Sequence, residues 1–116
     1  MSPMPEQVQL KEMNLRFAAL AKALPQQMGA FRSLMSEVSK DGALSSKVKE
    51  LTALAIAVHK GCSDCILFHI ANTKGHGATR AEVAEILGVC IEMGGGPAAV
   101  YAGRALAAFD GLTNDK

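Results

Sequence analysis

Two cysteines, a histidine and a glutamate lie close together in the middle of this 116-residue chain. Cys62 and Cys65 are three positions apart, His69 follows four positions later, and Glu50 precedes the pair by twelve positions. Thiol redox chemistry needs this set of groups, because one thiolate attacks, a second thiol resolves, and an acid-base pair moves the protons. We therefore take these four residues as the candidate catalytic site.

The cysteine pair stands where a helix is predicted to begin. Residues three apart on a helix share a face, so the two sulfurs can reach bonding distance. The positive end of the helix dipole also favours a thiolate over a thiol. The alternative is a pair of small buried core residues. Gly61 before the pair and Ser63-Asp64 within it indicate a polar, accessible helix start, so we favour the redox interpretation.

His69 and Glu50 each have a second interpretation when they are taken alone. A histidine on a half-apolar helix is more often a hydrogen-bonded core residue, but only one helical turn separates His69 from Cys65. Glu50 shares a helical stripe with Leu54 and Val58, where a carboxylate has to be paired or has to keep its proton. Its alternative is an exposed first-turn glutamate stabilised by the helix dipole. The nearby cysteines favour a proton relay for both residues.

A zinc site is the main competing interpretation. Cys62, Cys65 and His69 could supply three ligands, with Glu50 or Cys90 as the fourth. Structural zinc sites usually draw a second ligand pair from elsewhere in the chain, and this sequence has no such pair. Cys90 lies in an apolar segment and is predicted to be an inert core thiol. We therefore predict no bound metal.

The composition predicts one domain, residues 1–116, of the all-α class. Ala and Leu supply a large part of the 49% hydrophobic content, and there is one Tyr and no Trp, which favours helices over sheets. A net charge of +1 without a basic cluster argues against nucleic-acid binding. A small domain with this much apolar surface often hides part of it in an oligomer interface.

The N-terminal segment, the apolar runs and the cysteine count together predict the cellular compartment of the protein. Residues 1–10 lack the basic start and apolar run of a secretory signal, and no uncharged apolar run approaches membrane-spanning length. Three cysteines do not make a secreted disulfide framework. We predict a cytoplasmic protein, in which a close cysteine pair is more often catalytic or metal-binding than structural.

Apolar spacing and capping residues predict about six helices. Pro25, Gly61 and the glycine run at 94–96 mark breaks, and Thr79 opens a capping box. Gly42 is expected to close the second helix in the left-handed conformation. The predicted ranges are 6–23, 25–41, 45–60, 62–74, 79–93 and 97–109.

The motif set resembles the carboxymuconolactone decarboxylase superfamily, and more closely its alkylhydroperoxidase D-like branch. The resemblance covers roughly residues 44–110. The decarboxylases that give the superfamily its name lack the cysteine pair, so the pair argues against lactone decarboxylation. The matching features are Glu50, Cys62-x-x-Cys65-x-x-x-His69, the glycine-rich run from Met93 to Pro97, and the segment from Tyr101 to Phe109.

The resemblance implies a thiol-dependent peroxidase that works without a cofactor. Cys65 would be the peroxide-attacking thiol, Cys62 the resolving thiol, and His69 with Glu50 the proton relay. An external dithiol, either a lipoyl group or a thioredoxin-like protein, would reduce the oxidised pair. The family also implies an all-helical fold that oligomerises, commonly as a homohexamer built as a trimer of dimers.

One position departs from the pattern of the best-known member, which has a histidine immediately before the attacking cysteine. Here Asp64 takes that position, and an anion there opposes thiolate formation. Two other functions stay open. One is a thiol-disulfide oxidoreductase or redox sensor that uses the same pair without peroxide turnover. The other, from a different class, is a non-catalytic metal-binding or interaction protein.

Overall fold

The computed structural model describes residues 5–112, which form five α-helices and no β-strand. The helices are α1 (Pro5–Ala23), α2 (Pro25–Ser39), α3 (Ser46–Lys60), α4 (Ser63–Gly75) and α5 (Arg80–Gly111). The all-α prediction is confirmed. The sequence also predicts a loose tail over residues 1–5 and a polar tail from Gly111, but Pro5 begins α1 and Gly111 ends α5, and the rest of both tails lies outside residues 5–112 except Leu112.

The core is built from helices α3, α4 and α5, which pack on one another. Helix α3 contributes a continuous apolar face, and α5 lines the core with small side chains that allow close approach of the helices. Helix α1 adds the buried Met13 and packs against α4 and α5. The most deeply buried side chains are Leu54, Val58, Ile70, Thr73 and Val83.

Helix α5 contains the two helices that were predicted separately. A capping box between Thr79 and Glu82 begins it, as the sequence predicts. Gly95 interrupts the helix with φ 71° and ψ −149°, a backbone conformation that only glycine adopts without strain. Pro97 then begins the second segment, where its missing N–H needs no partner. The helical conformation is interrupted in the glycine run, as predicted, but the interruption is a kink at Gly95 within α5 and not a loop between two helices. Residues 5–112 therefore form five helices and not the predicted six.

The second helix ends differently from the prediction. It stops at Ser39, and Lys40 is extended with ψ 149°. Gly42 does not take the left-handed conformation, since the glycines with positive φ among residues 5–112 are Gly61, Gly77 and Gly95. A side-chain contact explains the early end: Ser46 donates its backbone N–H to Asp41. The segment between α2 and α3 is therefore held by the start of α3.

Helix α5 is also long and apolar enough, by length and composition alone, to cross a membrane. The sequence prediction found no such run, and the difference arises because two shorter helices are joined across Gly95. Only 22% of the most apolar window is buried within the single chain. Since the buried side of α5 forms the core with α3 and α4, we interpret it as a core helix with further apolar surface left uncovered.

Candidate functional site

Helix α3 places one carboxylate inside the protein. Ser45 caps the helix by accepting a hydrogen bond from the backbone N–H of Val48. Glu50 follows in the second turn and is only 7% exposed, on the same buried face as Leu54 and Val58. The helical register therefore predicted its burial correctly, and the alternative of an exposed first-turn glutamate is wrong.

Gly61 turns the chain from α3 into the cysteine motif. Its φ of 71° closes α3, and its N–H donates to the carbonyl oxygens of Ala57 and Val58. A Cβ atom at this position would lie 3.1 Å from the Tyr101 ring. Both the backbone conformation and this close approach favour glycine, so Gly61 holds the start of α4 against α5.

Cys62 and Cys65 are joined by a disulfide at the N-terminus of α4, with their Cα atoms 5.2 Å apart. Cys62 is the N-cap residue, and its Sγ accepts a hydrogen bond from the backbone N–H of Cys65 at 3.2 Å. Cys62 is half-buried, whereas Cys65 is exposed. The pair is therefore accessible, and the two sulfurs differ in both exposure and hydrogen bonding.

His69 lies one turn beyond Cys65 and contacts the buried carboxylate. Its Nδ1 is 3.2 Å from Glu50 Oε1. The Phe68 ring and the imidazole also pack in an edge-to-face arrangement, with ring centroids 5.1 Å apart. The sequence analysis predicted that the buried carboxylate of Glu50 has to be paired or has to keep its proton. In the structure, the group that contacts it is His69.

Helix α1 forms one flank of the cysteine motif, which the sequence analysis did not predict. Arg16 Nη2 lies 3.2 Å from Asp64 Oδ2, and the neighbouring Phe17 packs its ring on Phe68 with centroids 6.2 Å apart. Asp64 and Phe68 are four positions apart on α4, so α1 lies along the face next to the one that carries Cys65. Arg16 and Asp64 are 48 positions apart in the sequence, and no local pattern in one sequence indicates such a contact.

The remaining cysteine and histidines lie outside this cluster. Cys90 is buried, its thiol donates to the carbonyl oxygen of Ala55 at 3.6 Å, and burial raises the pKa of this thiol. His76 donates from Nδ1 to the carbonyl of Asn72 at 2.8 Å, near the end of α4. Within residues 5–112, no three His, Cys, Asp or Glu side chains are arranged to hold a metal ion. The core position predicted for Cys90 is confirmed.

Among the described residues, two small open clefts lie beside the motif. One, of about 210 Å³, is lined by Gly61 and Tyr101. The other, of about 180 Å³, opens next to Ser63, where α1 and α5 approach α4. Pockets that enclose drug-sized ligands are larger, roughly 300–1,000 Å³. Neither cysteine lines the cleft beside Gly61 or the cleft beside Ser63, so a reactant has to meet the exposed Cys65 at the open surface. The cleft beside Ser63 is lined by Glu6, Gln9, Ser63, Ile66, Leu67, Arg104, Ala107 and Ala108.

This helical fold and its cysteine motif match a known family. A sequence model of the carboxymuconolactone decarboxylase family matches residues 25–108. The chain therefore belongs to the carboxymuconolactone decarboxylase family. The cysteine pair with His69 and Glu50 is consistent with its alkylhydroperoxidase D-like branch.

Solved structures and curated sequences agree with this assignment. A family member from Legionella pneumophila superposes with a TM-score of 0.87 at 43% identity, covering 90% of this chain and 94% of the other. A Thermotoga maritima member, for which a part in the antioxidative response has been suggested, gives 0.68 at 26% identity, covering 82% and 87%. An uncharacterized protein of Cupriavidus necator is 52% identical over 103 residues, covering 89% of this chain and 91% of the relative.

Proposed function

We propose that this protein is a thiol-dependent peroxidase that reduces peroxides through Cys62 and Cys65. The observation that carries the proposal is the accessible cysteine pair at a helix N-terminus, one turn from a histidine that contacts a buried glutamate. The suggested antioxidative role of the Thermotoga maritima relative points the same way. Membership of the family supports a helical redox protein in general, and the geometry of the site supports the specific thiol chemistry proposed for it.

The catalytic cycle balances with two electrons. The Cys65 thiolate attacks one peroxide oxygen and becomes a sulfenic acid, while the other oxygen leaves as an alcohol or water after taking a proton. Cys62 then condenses with the sulfenic acid, which forms the disulfide and releases water. His69 and Glu50 move the protons: the histidine accepts the thiol proton and can return it to the leaving oxygen.

The greater exposure of Cys65 and its position one turn from His69 support it as the attacking thiol, whereas the N-cap position of Cys62 suits a leaving group. Cys65 is exposed and shares a helical face with His69, whereas Cys62 is half-buried at the N-cap. The hydrogen bond from the Cys65 amide to Cys62 Sγ and the helix dipole both favour a thiolate at Cys62. Cys62 is therefore a good leaving group when a reductant attacks the exposed sulfur of Cys65.

The cycle needs an external dithiol, because the protein returns to its reduced form only if two electrons are supplied. We propose a lipoyl group or a thioredoxin-like protein in the cytoplasm for this role. The open surface around Cys65 suits either, since a reductant carried on another protein must reach the disulfide directly. No cofactor or metal enters the proposed cycle.

We also propose that the chain assembles into a homohexamer, a trimer of dimers. Helix α2 supports assembly because none of its residues is buried within the single chain. Phe31, Leu34 and Val38 are 49%, 60% and 58% exposed, and they lie on one side of the helix. A stripe of large apolar side chains left in water is the surface that other copies of the chain would cover.

The competing function is thiol-disulfide exchange without peroxide turnover, which the same disulfide would support. Peroxide-dependent oxidation of reduced lipoamide separates the two. We expect the protein to consume peroxide and reduced lipoamide in equal amounts, and the Cys65→Ser variant to consume neither. Disulfide exchange with lipoamide that does not depend on peroxide would instead favour the oxidoreductase. Metal content after purification tests the metal-binding alternative.

A further inference from the structure

We propose that Arg16 is a positioning residue that acts through Asp64: its guanidinium neutralises this carboxylate beside the redox pair and so favours ionisation of the Cys65 thiol. The proposal deepens the proposed function, because it rests on Cys65 being the thiol that must ionise. It also assigns a role to helix α1, which contributes none of the cysteines, histidines or glutamates of the site.

The starting point is the charge at the helix start. Asp64 is the second residue of α4 and directly precedes Cys65. Neighbouring residues on a helix point in different directions, so the carboxylate does not lie against the thiol. Its charge nevertheless falls within a Debye length of the sulfur, about 10 Å at 0.1 M salt, and is not fully screened there. An unpaired anion at this position therefore opposes formation of the Cys65 thiolate.

Arg16 removes this opposition by forming an ion pair. Its Nη2 is 3.2 Å from Asp64 Oδ2, and the two side chains are 62% and 61% exposed. Exposed pairs of this kind stabilise a fold little, because each ion is already well solvated. Such a pair can nevertheless change the electrostatic potential at a third charge, which here is the thiolate of Cys65. The carboxylate and guanidinium together carry no net charge, so the thiolate meets a dipole and not an anion.

The adjacent residue of α1 keeps Arg16 in place. Phe17 packs on Phe68, which lies one turn after Asp64 and itself packs edge-on against His69. Helix α1 therefore meets α4 through two consecutive residues, one by ring contact and one by an ion pair. The contact between Phe17 and Phe68 fixes α1 against α4, and this places the guanidinium of Arg16 beside Asp64 of the cysteine motif.

The other charged groups around the motif do not replace Arg16. On α3, the buried Glu50 pairs with His69. Arg104 of α5 and Glu6 of α1 line the cleft beside Ser63, on another side of α4, and these two groups oppose each other in sign. Arg16 is the cation that the structure places on Asp64.

The test is the pH profile of alkylation of Cys65 by iodoacetamide, read by mass spectrometry. It uses the full-length reduced protein in a Cys62→Ser background, in which the serine hydroxyl can still cap α4. Arg16→Ala should slow alkylation about threefold at neutral pH and move the profile to higher pH, on the scale of exposed charge pairs. Arg16→Lys, which keeps the cation, should restore the parent profile.

Two further variants separate charge from structure. In the Arg16→Ala/Asp64→Asn double variant both charges are gone, so its profile should stay close to that of the parent, whereas Asp64→Asn alone leaves the Arg16 cation unpaired and should move the profile to lower pH. Arg80→Ala removes a comparable surface pair with Asp110, in which no residue of the cysteine motif takes part, and should leave the profile unchanged. An unchanged profile in Arg16→Ala would overturn the proposal, and so would an equal shift in the double variant. Because no peroxide is used, the result stands apart from the success or failure of the peroxidase assignment.

Discussion

The carboxylate oxygen Oε1 of Glu50 lies 3.2 Å from Nδ1 of His69, and this contact joins α3 to α4 behind the cysteine pair. Glu50 is almost fully buried, whereas the histidine side chain is 26% exposed. A neutral imidazole that donates from Nδ1 to the carboxylate keeps the lone pair on Nε2 and can accept a proton there. In the proposed cycle, this contact would hold His69 in the tautomer that accepts a proton at Nε2.

The first prediction concerns this carboxylate. Glu50→Gln keeps the shape and much of the hydrogen bonding but removes the charge that, in the proposed cycle, supports proton transfer. We expect oxidation of the thiols by peroxide to slow roughly a hundredfold, as for loss of a general base, with little loss of thermal stability. Glu92→Gln is the matched control, because Glu92 is exposed on α5 and should leave the rate unchanged. If the rate in Glu50→Gln equals that of the control, Glu50 has no part in proton transfer.

The second prediction assigns unequal roles to the cysteines. After peroxide treatment, Cys62→Ser should carry a sulfenic acid on Cys65, because the resolving thiol is absent. Cys65→Ser should form no sulfenic acid, because in the proposed cycle the half-buried Cys62 resolves the sulfenic acid and does not attack peroxide. Trapping with dimedone followed by peptide mass spectrometry distinguishes the variants. The reverse labelling pattern would exchange the two roles and leave the redox pair itself intact.

The third prediction tests the apolar stripe of α2. Leu34→Glu places a charge in the middle of the stripe, and we expect the assembly to dissociate into smaller species in sedimentation velocity at micromolar concentration. Ser36→Glu is the control, because a residue two positions from Leu34 lies on the opposite side of α2 and Ser36 is exposed, so this charge should not change the assembly. A stable monomer for the unsubstituted protein would contradict the proposed homohexamer.

The fourth prediction concerns the pH dependence of stability at the start of α5. Glu82 accepts hydrogen bonds from the Thr79 backbone N–H and from Lys47 Nζ, both at 2.9 Å, and these donors lower the pKa of its carboxyl below the ordinary value. The ionised form is therefore the one that stabilises the fold. The stabilisation is present above the ordinary pKa and is lost as the pH falls through the lowered one.

The measurement is the melting temperature of the protein and of Glu82→Gln between neutral and acidic pH. The substitution should lower the melting temperature at neutral pH, and the difference should shrink as the pH falls below the pKa of Glu82. A difference that stays constant across the range would show that the charge of Glu82 contributes nothing.

The local signals in the sequence predicted the framework of the site. Ser45 and Gly61 bound α3 as their capping preferences require, and the capping box at Thr79 begins α5. The register of α3 predicted the burial of Glu50. These features depend on residues within one or two turns of each other, so a single sequence contains the information.

Contacts between distant segments could not be predicted in the same way. The pairing of Arg16 with Asp64 depends on how α1 packs across α4. The residues around Arg16 and around Asp64 in the sequence give no indication of this contact. The kink at Gly95 was expected as a full break, because a glycine run weakens a helix without revealing whether the helix axis resumes beyond it. Gly42 was assigned a left-handed cap, but Asp41 bonds the start of α3 and the chain leaves α2 earlier.

The most direct test of the central claim is the fate of the reduced thiols on rapid mixing with peroxide. The chain has no Trp and one Tyr, so intrinsic fluorescence is a weak signal. Acid quenching followed by counting free thiols is the better readout, with hydrogen peroxide and an organic hydroperoxide compared. We predict loss of two thiols at a rate proportional to peroxide, a Cys62–Cys65 disulfide as product, and an unreacted Cys90. Three thiols that stay free, or a rate no faster than that of Cys65→Ser, would contradict the peroxidase function.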